Sequence, residues 1–227
     1  MVEVEAAPYD YISRYYASVR RKNRAFPDVA DFWQGSLRHV SGKSVLNLGC
    51  GPMLYDNLTY FSKPPERYVG VDLNSESFAF LSEDDNPDLV EARNAAHALS
   101  TAIEVHAADI FDLSQDLGKF DVILGVGFFG TFEGPNLDRL LNHIRLMMKP
   151  EGRIVKLTWH GPERTAAETE DKLRYRYDTT AEPTPDELSK RFTDCGLSII
   201  RDERFQCKPG TVGWREIQCA VFTQSDP

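Results

Sequence analysis

The chain has 227 residues and a formal net charge of −9, which argues against sequence-independent binding of nucleic acid, because that depends on Lys and Arg meeting phosphates. Hydrophobic residues at 41% and charged residues at 27% suit a globular domain with a sizeable core, and no apolar run approaches the ~20 residues of a membrane span. Cys50, Cys195, Cys207 and Cys219 lack C-x-x-C or zinc spacing, and Met1–Glu5 is acidic where a signal peptide would be apolar. Reduced thiols in a cytoplasmic protein are expected.

In chain order, residues 9–24 predict a helix and residues 28–39 another, with Asp28 as a candidate N-cap after Pro27. Strand and helix then alternate. Val45–Leu48 predicts the first strand, with a helix from near Pro52 to before Pro64-Pro65. Tyr68–Asp72 predicts the second strand, followed by a short helix over Ser75–Leu81 and a longer one over Pro87–Ser100, with proline in its first turn. Ile103–Ala107 and Phe120–Gly125 predict the third and fourth strands.

Asn136–Met148 predicts an amphipathic helix ended by a Lys149-Pro150-Glu151-Gly152 turn. A fifth strand follows over Arg153–Trp159, a helix over Pro185–Cys195 stopped by Gly196, and two closing strands over Leu197–Phe205 and Glu216–Thr223. Helix-separated strands with a terminal hairpin imply a mostly parallel sheet with an antiparallel edge. Residues 160–185 form the one long segment without a clear strand period, and such an insertion suits a substrate cover. Arg14, Arg20, Arg21, Lys22 and Arg24 cluster near the N-terminus. They read as a solvated helix face or as an attractor of an anionic substrate or partner.

The chemistry-bearing stretch is Leu46-Asn47-Leu48-Gly49-Cys50-Gly51-Pro52, answered about twenty residues later by Val69-Gly70-Val71-Asp72. An apolar run ending in Gly-x-Gly lets backbone approach a ligand, and an acid ending the next strand can accept from both ribose hydroxyls. The dinucleotide fingerprint needs a third glycine where this chain has Leu54, and no Gly-Lys-Ser/Thr follows, so pyrophosphate and P-loop readings fail. A ligand with ribose and adenine but no pyrophosphate fits; S-adenosylmethionine is the common one.

With Ala107-Ala108-Asp109-Ile110, Phe120-Asp121-Val122-Ile123 and Leu146-Met147-Met148-Lys149-Pro150-Glu151-Gly152-Arg153-Ile154 in order behind those two runs, residues 44–223 resemble the class I S-adenosylmethionine-dependent methyltransferases. The resemblance implies an α/β, Rossmann-like sheet of about seven strands over residues 41–227, with residues 1–40 as an N-terminal helical lid. It implies that Gly49, Cys50 and Gly51 pass the cofactor, that Asp72, Leu73 and Asn74 hold its ribose edge, and that Asp109 and Ile110 meet adenine. Gly125 and Val126 would lie beside it at the fourth strand's end. The residue in the place of the usual first-strand acid is Asn47, which can hydrogen-bond but cannot pair with an ammonium.

Asp10-Tyr11-Ile12-Ser13-Arg14-Tyr15-Tyr16 ahead of Gly49-Cys50-Gly51-Pro52-Met53-Leu54-Tyr55 is similar to the nicotinamide and phenylethanolamine N-methyltransferase branch. That similarity implies that Tyr11, Tyr16 and Tyr55 touch the methionine moiety. Tyr11, Tyr15 and Tyr16 read equally as an aromatic stripe in the core. Phe128, Phe129 and Phe132 read as an acceptor pocket or as a plain hydrophobic cluster. Catalytic candidates are Tyr16, His160 and Tyr175, with Glu133 a further possible base, although residues at 160 and 175–177 read also as exposed loop. His106 and His143 read as structural, and no metal site is expected.

No Asn/Asp-Pro-Pro-Tyr follows the fourth strand, which turns the expectation from nucleobase or protein-amide substrates to a small-molecule acceptor, nitrogen before oxygen. Two rival functions stand beside methylation. One is attack on another carbon of the sulfonium, giving aminocarboxypropyl transfer or cyclisation of the cofactor itself to azetidine-2-carboxylate and methylthioadenosine. The other is cofactor binding without catalysis. Neither a nucleic acid nor a membrane is expected as partner.

Overall fold

The computed structural model describes residues 12–13, 16–17, 27–37, 43–59, 61, 63–113, 115–132, 134–160, 183–206 and 216–225. Seven strands make one sheet in the order β3-β2-β1-β4-β5-β7-β6. They are β1 (Ser44–Leu48), β2 (Arg67–Asp72), β3 (Ala102–Ala107), β4 (Phe120–Val126), β5 (Met148–His160), β6 (Leu197–Gln206) and β7 (Glu216–Gln224). Strands β1 to β5 pair in parallel, and β7 runs antiparallel between β5 and β6. The expected mostly parallel α/β sheet with antiparallel closing strands is present.

Helices cover both faces, which explains why the central strands read as nearly unbroken apolar runs. On one face, Val45 of β1, Leu124 of β4, Val155 of β5 and Val221 of β7 form one core with α1 (Pro27–Leu37), α2 (Leu54–Thr59), α3 (Ser75–Glu83) and α4 (Pro87–His97). Ile12 and Tyr16, in helical backbone, are buried in that same core. On the other face, Leu46, Leu48, Val69 and Ile123 pack with α5 (Gly134–Leu146) and α6 (Pro185–Asp194). The edge strands alternate: β3 and β6 each keep a partly exposed face.

Local chemistry sets the helix starts. Asn74 accepts from the Glu76 N–H to cap α3, and Asn86 accepts from Asp88 and Leu89 to cap α4, with Pro87 at its first position. Thr184 and Glu187 make a reciprocal capping box at α6. Helix α1 begins at Pro27, one residue before the expected start at Asp28. The expected helix after Pro52 is split into a 3-10 turn, Gly51–Met53, and α2.

The turn expected at Lys149–Gly152 lies inside a strand instead. Met148 pairs with Phe120, and pairing resumes only at Val122 with Arg153. Helix α5 therefore stops at Leu146, because Met147 and Met148 are recruited by the start of β4, where the Phe120 N–H donates to the Met147 carbonyl over 2.8 Å. The extra residues bulge outward, and Lys149 reaches Asp121 at 2.7 Å. Gly152 is needed there: a Cβ on it would lie 2.9 Å from the Lys149 carbonyl oxygen and 3.1 Å from that of Phe120. Gly152→Ala is expected to shift this backbone and lower the stability by ~1–3 kcal/mol, the scale of an overpacked core site. Urea unfolding monitored by tryptophan fluorescence checks it, and an unchanged midpoint would contradict the tight bulge.

Candidate functional site

Strand β1 ends at Leu48 and the chain turns through Gly49 and Gly51, whose φ angles are +57° and +47°. Both lie in the left-handed region that glycine enters without penalty. The Cys50 N–H donates to the Val71 carbonyl at 3.1 Å, which ties the turn to β2. The turn is thereby brought against the end of β2, where Asp72 stands. One Asp72 oxygen accepts from the Gly51 N–H at 2.8 Å and the other from the Asn74 N–H at 2.8 Å. Burial pushes the Asp72 carboxyl up from its ordinary value, and the Asn74 and Gly51 N–H groups oppose that rise.

A pocket opens at this point, along the C-terminal ends of four neighbouring parallel strands, where ligands sit in open α/β sheets. Leu48 and Gly49 line it from β1, Val71, Asp72 and Leu73 from β2, Ala108 and Ile110 from the end of β3, and Phe128 from beyond β4. The lining is apolar apart from the Asp72 carboxylate. Each oxygen of a carboxylate has two lone pairs, so after Gly51 and Asn74 are counted each Asp72 oxygen retains one acceptor position. Two adjacent hydroxyls beside a flat apolar ring match that arrangement, so the residues present fit an adenosine moiety.

The site residues expected from sequence divide into groups. Gly49, Asp72, Leu73 and Ile110 are brought together around the pocket. Gly51 and Asn74 stand behind it as donors to Asp72. Cys50 is buried, and desolvation together with nearby Asp72 pushes its thiol well up, which makes it an inert core group. Asp109 accepts from the Phe111 N–H at 2.9 Å and so caps its own turn.

The remaining described candidates do not line the pocket. Asn47 is fully buried and donates to the Tyr68 hydroxyl at 2.8 Å, between β1 and β2; its Oδ1 has no partner among the described residues. Tyr55 lies on α2 with its ring 5.6 Å from that of His97 on α4. Tyr16 is fully buried, its ring 5.4 Å from Phe80 of α3. A Cβ on Gly125 would lie 2.3 Å from Phe129, so this glycine makes room for an aromatic ring. Val126 is half-buried and packs on the helix α1–α4 side of the sheet. His160 ends β5 in register with Glu216, and its side chain lies outside the described residues, as do Tyr11, Glu133 and Tyr175.

The three phenylalanines, read as an acceptor pocket or as a plain hydrophobic cluster, divide between the core and the pocket. Phe129 and Phe132 are fully buried in the core, and Phe128 reaches the pocket. Their rings pack edge-on, Phe128 lying 5.5 Å from Phe129 and 5.0 Å from Phe132. Phe128 also lies over the turn: a Cβ on Gly49 would stand 2.4 Å from its Cδ2. His106 lies 3.9 Å from Glu104 on β3, and His143 packs on Phe111; neither lines the pocket. Among the described residues no His, Cys, Asp and Glu cluster could hold a metal ion. Sequence reasoning missed Leu48, Val71 and Ala108 as lining; their signal was position, since each lies at or just beyond the end of a strand leading into the pocket.

Residues 39–194 match a family model described as a methyltransferase domain. A comparison with curated protein sequences gives no match. Among solved structures, an S-adenosylmethionine-dependent methyltransferase from Clostridium acetobutylicum superposes with a TM-score of 0.59 at 14% identity, over 96% of this chain and 99% of that one. The 1,6-didemethyltoxoflavin-N1-methyltransferase of Burkholderia thailandensis gives 0.58 at 19% identity, over 100% of this chain and 94% of that one. The N-methyltransferase NodS of Bradyrhizobium japonicum gives 0.55 at 15% identity, over 90% and 97%. At such identities the structural likeness speaks for the fold, and the family model speaks for the chemistry. That model spans more than half of the chain: the chain belongs to the methyltransferase domain family and is an S-adenosylmethionine-dependent methyltransferase.

Proposed function

We propose that this methyltransferase acts on a small molecule and that nitrogen is its preferred acceptor over oxygen. The observation that carries the cofactor end of this reading is the Asp72 carboxylate, held by two backbone N–H groups at the rim of an otherwise apolar pocket. The acceptor end is supported by Gly125-Val126-Gly127-Phe128 standing where nucleobase and amide methylators carry Asn/Asp-Pro-Pro-Tyr. Two of the structural neighbours are named as N-methyltransferases. The similarity of the tyrosine-bearing N-terminus to small-amine methylating enzymes points the same way.

When bound, the cofactor supplies a methyl group on a sulfonium, already activated for attack. The protein's share is orientation and the exclusion of water. Asp72 would orient the ribose, Gly49 and Gly51 would let backbone approach, and Ile110 and Leu73 would flank adenine. Residues 1–40 and 160–185 would close over the acceptor, the first of them rooted on α3 by Tyr16, whose ring packs on Phe80. A nitrogen acceptor needs only to be neutral when it attacks, so a single proton acceptor suffices. His160 and Tyr175 are proposed for that work, with Tyr16 as support from the core.

The reaction class is checked by mass spectrometry of S-adenosylmethionine incubated with the protein, with and without a panel of small amines and phenols. S-adenosylhomocysteine appearing together with an amine gaining one methyl group is the expected result. Methylthioadenosine would instead mean attack on another carbon of the sulfonium. The site assignment is checked with Asp72→Asn, which keeps the shape and sets one N–H donor against the amide nitrogen. It should weaken S-adenosylhomocysteine binding by ~1.5–3 kcal/mol, the scale of hydrogen bonds to a charged group. Unchanged affinity by calorimetry in the folded variant would remove Asp72 from the ribose site.

A further inference from the structure

Strand β5 carries a lysine in its middle. Lys156 is fully buried, and its neighbours across the sheet are small: Gly125 on β4 and Ala220 on β7. Its ammonium nitrogen donates to Gln218 Oε1 at 2.5 Å and to Thr158 Oγ1 at 3.5 Å, and lies 6.0 Å from the centre of the Phe192 ring. Gln218 in turn donates to both oxygens of Asp202 and to Ser189 Oγ, at 2.8–3.0 Å. Among the described residues no carboxylate touches the lysine directly; a neutral amide stands between it and Asp202. A buried amine held so indirectly stabilises the fold less than an apolar side chain of the same length would, so packing alone does not account for it.

What the amine holds lies next to the site. Thr158 is two residues nearer the C-terminal end of β5, and its Cγ2 stands 3.0 Å from where a Cβ on Gly130 would be. Gly130 belongs to the turn after β4, which the Thr131 N–H and hydroxyl close onto the Phe128 carbonyl at 3.0 and 2.6 Å. The same turn is held to β5 from its other side, the Gly127 N–H donating to the Leu157 carbonyl at 2.7 Å. Phe128 is the aromatic wall of the pocket and overlies Gly49.

We propose that Lys156 is a positioning residue for cofactor binding: its buried amine holds Thr158, and through Thr158 and Gly130 it sets the turn that presses Phe128 against Gly49. This rests on the reading of the pocket as the cofactor site. Burial pushes the Lys156 amine down to about 7, opposed by Asp202 and Cys219 and reinforced by Arg204. Among the described residues, Asp202 and Arg204 of β6 lie on its face of the sheet, and Cys219 of β7 acts from the opposite face. Helix α6 contributes Ser189 and Phe192, and the turn after β4 contributes Phe129. With its proton, the amine donates to Gln218 and Thr158 together. Without it, both hydrogen bonds lose the charge that strengthens them, and the hold on Thr158 beneath Gly130 loosens. Cofactor affinity therefore falls as pH rises through about 7.

The test is calorimetric titration of the full-length protein with S-adenosylhomocysteine from about pH 5.5 to 8.5, comparing wild type, Lys156→Met and Asp202→Asn. Wild type should show affinity declining through about pH 7. Lys156→Met should bind about fivefold or more weakly at low pH, lose that decline, and melt no lower than wild type. Asp202→Asn removes the carboxylate that favours the charged amine, so its decline should move to lower pH. A Lys156→Met protein that binds as tightly as wild type with the same pH profile overturns the proposal and leaves the cofactor site intact. So does an Asp202→Asn profile that does not move, which decides the matter even if Lys156→Met fails to fold. A wild-type protein that binds no S-adenosylhomocysteine overturns both readings.

Discussion

The site depends on one carboxylate shared by two loops. Asp72 is the last residue of β2, and it accepts from Gly51 beyond β1 and from Asn74 ahead of α3. A desolvated carboxylate without donors is strongly unfavourable, so the two N–H groups must be delivered together. Three glycines make that delivery possible. Gly49 and Gly51 adopt left-handed backbone, and Gly70 leaves the space on β2 into which Leu54 and the Cys50 thiol descend. The Gly-x-Gly turn is thus both a ligand approach and a packing device. A side chain at residue 70 would lift α2 and carry the Gly51 N–H away from Asp72.

Charge is used differently at the other end of the strands. Asp121, at the start of β4, accepts from the Ser44 N–H and hydroxyl of β1 and from Lys149 at the β5 bulge, at 2.7–3.0 Å. Burial alone would raise its carboxyl, but Lys149 and Ser44 outweigh that and hold it below the ordinary carboxylate range. Arg67, at the start of β2, pairs with Glu104 of β3 and donates to the Leu117 carbonyl. These contacts lock strand starts in register with few loops between them. The strand ends are then left to carry the pocket, where the partners of the polar groups are backbone N–H groups with acceptor capacity to spare on Asp72.

The parts of the site legible in the sequence were those set by backbone chemistry. Gly49, Gly51 and Asp72 announce themselves because the left-handed turn and the strand-end acid are local, and the alternation of strand and helix follows from periods of two and 3.6. Side-chain direction is less local. Asn47 alternates with Leu46 and Leu48, so the pleat turns it toward the α1–α4 face, where Tyr68 meets it. Tyr55 follows the turn in sequence, but the axis of α2 carries its ring to His97. In the same way the run Phe128-Phe129-Gly130-Thr131-Phe132 reads as one aromatic surface. A single 3-10 turn divides it, sending Phe129 into the space above Gly125 and leaving Phe128 at the pocket.

Lys156 shows why a sheet covered on both faces defeats the usual reading of a polar residue. In Arg153-Ile154-Val155-Lys156-Leu157-Thr158 the alternation of polar and apolar side chains would place Lys156 in water if one face were open. Here α5 and α6 cover that face, Phe192 lies alongside the amine, and Gln218, pointing inward from β7, is fully buried as well. The polar groups then satisfy one another in a line from Thr158 to Asp202 and, through Arg204, to Asp186 at the start of α6. A line of that kind transmits a change in protonation at its buried end, where Lys156 and Gln218 have no water to replace a lost partner. The wall of the pocket is therefore set from beneath, by the chemistry of the sheet's interior, as much as by the turn on which Phe128 sits.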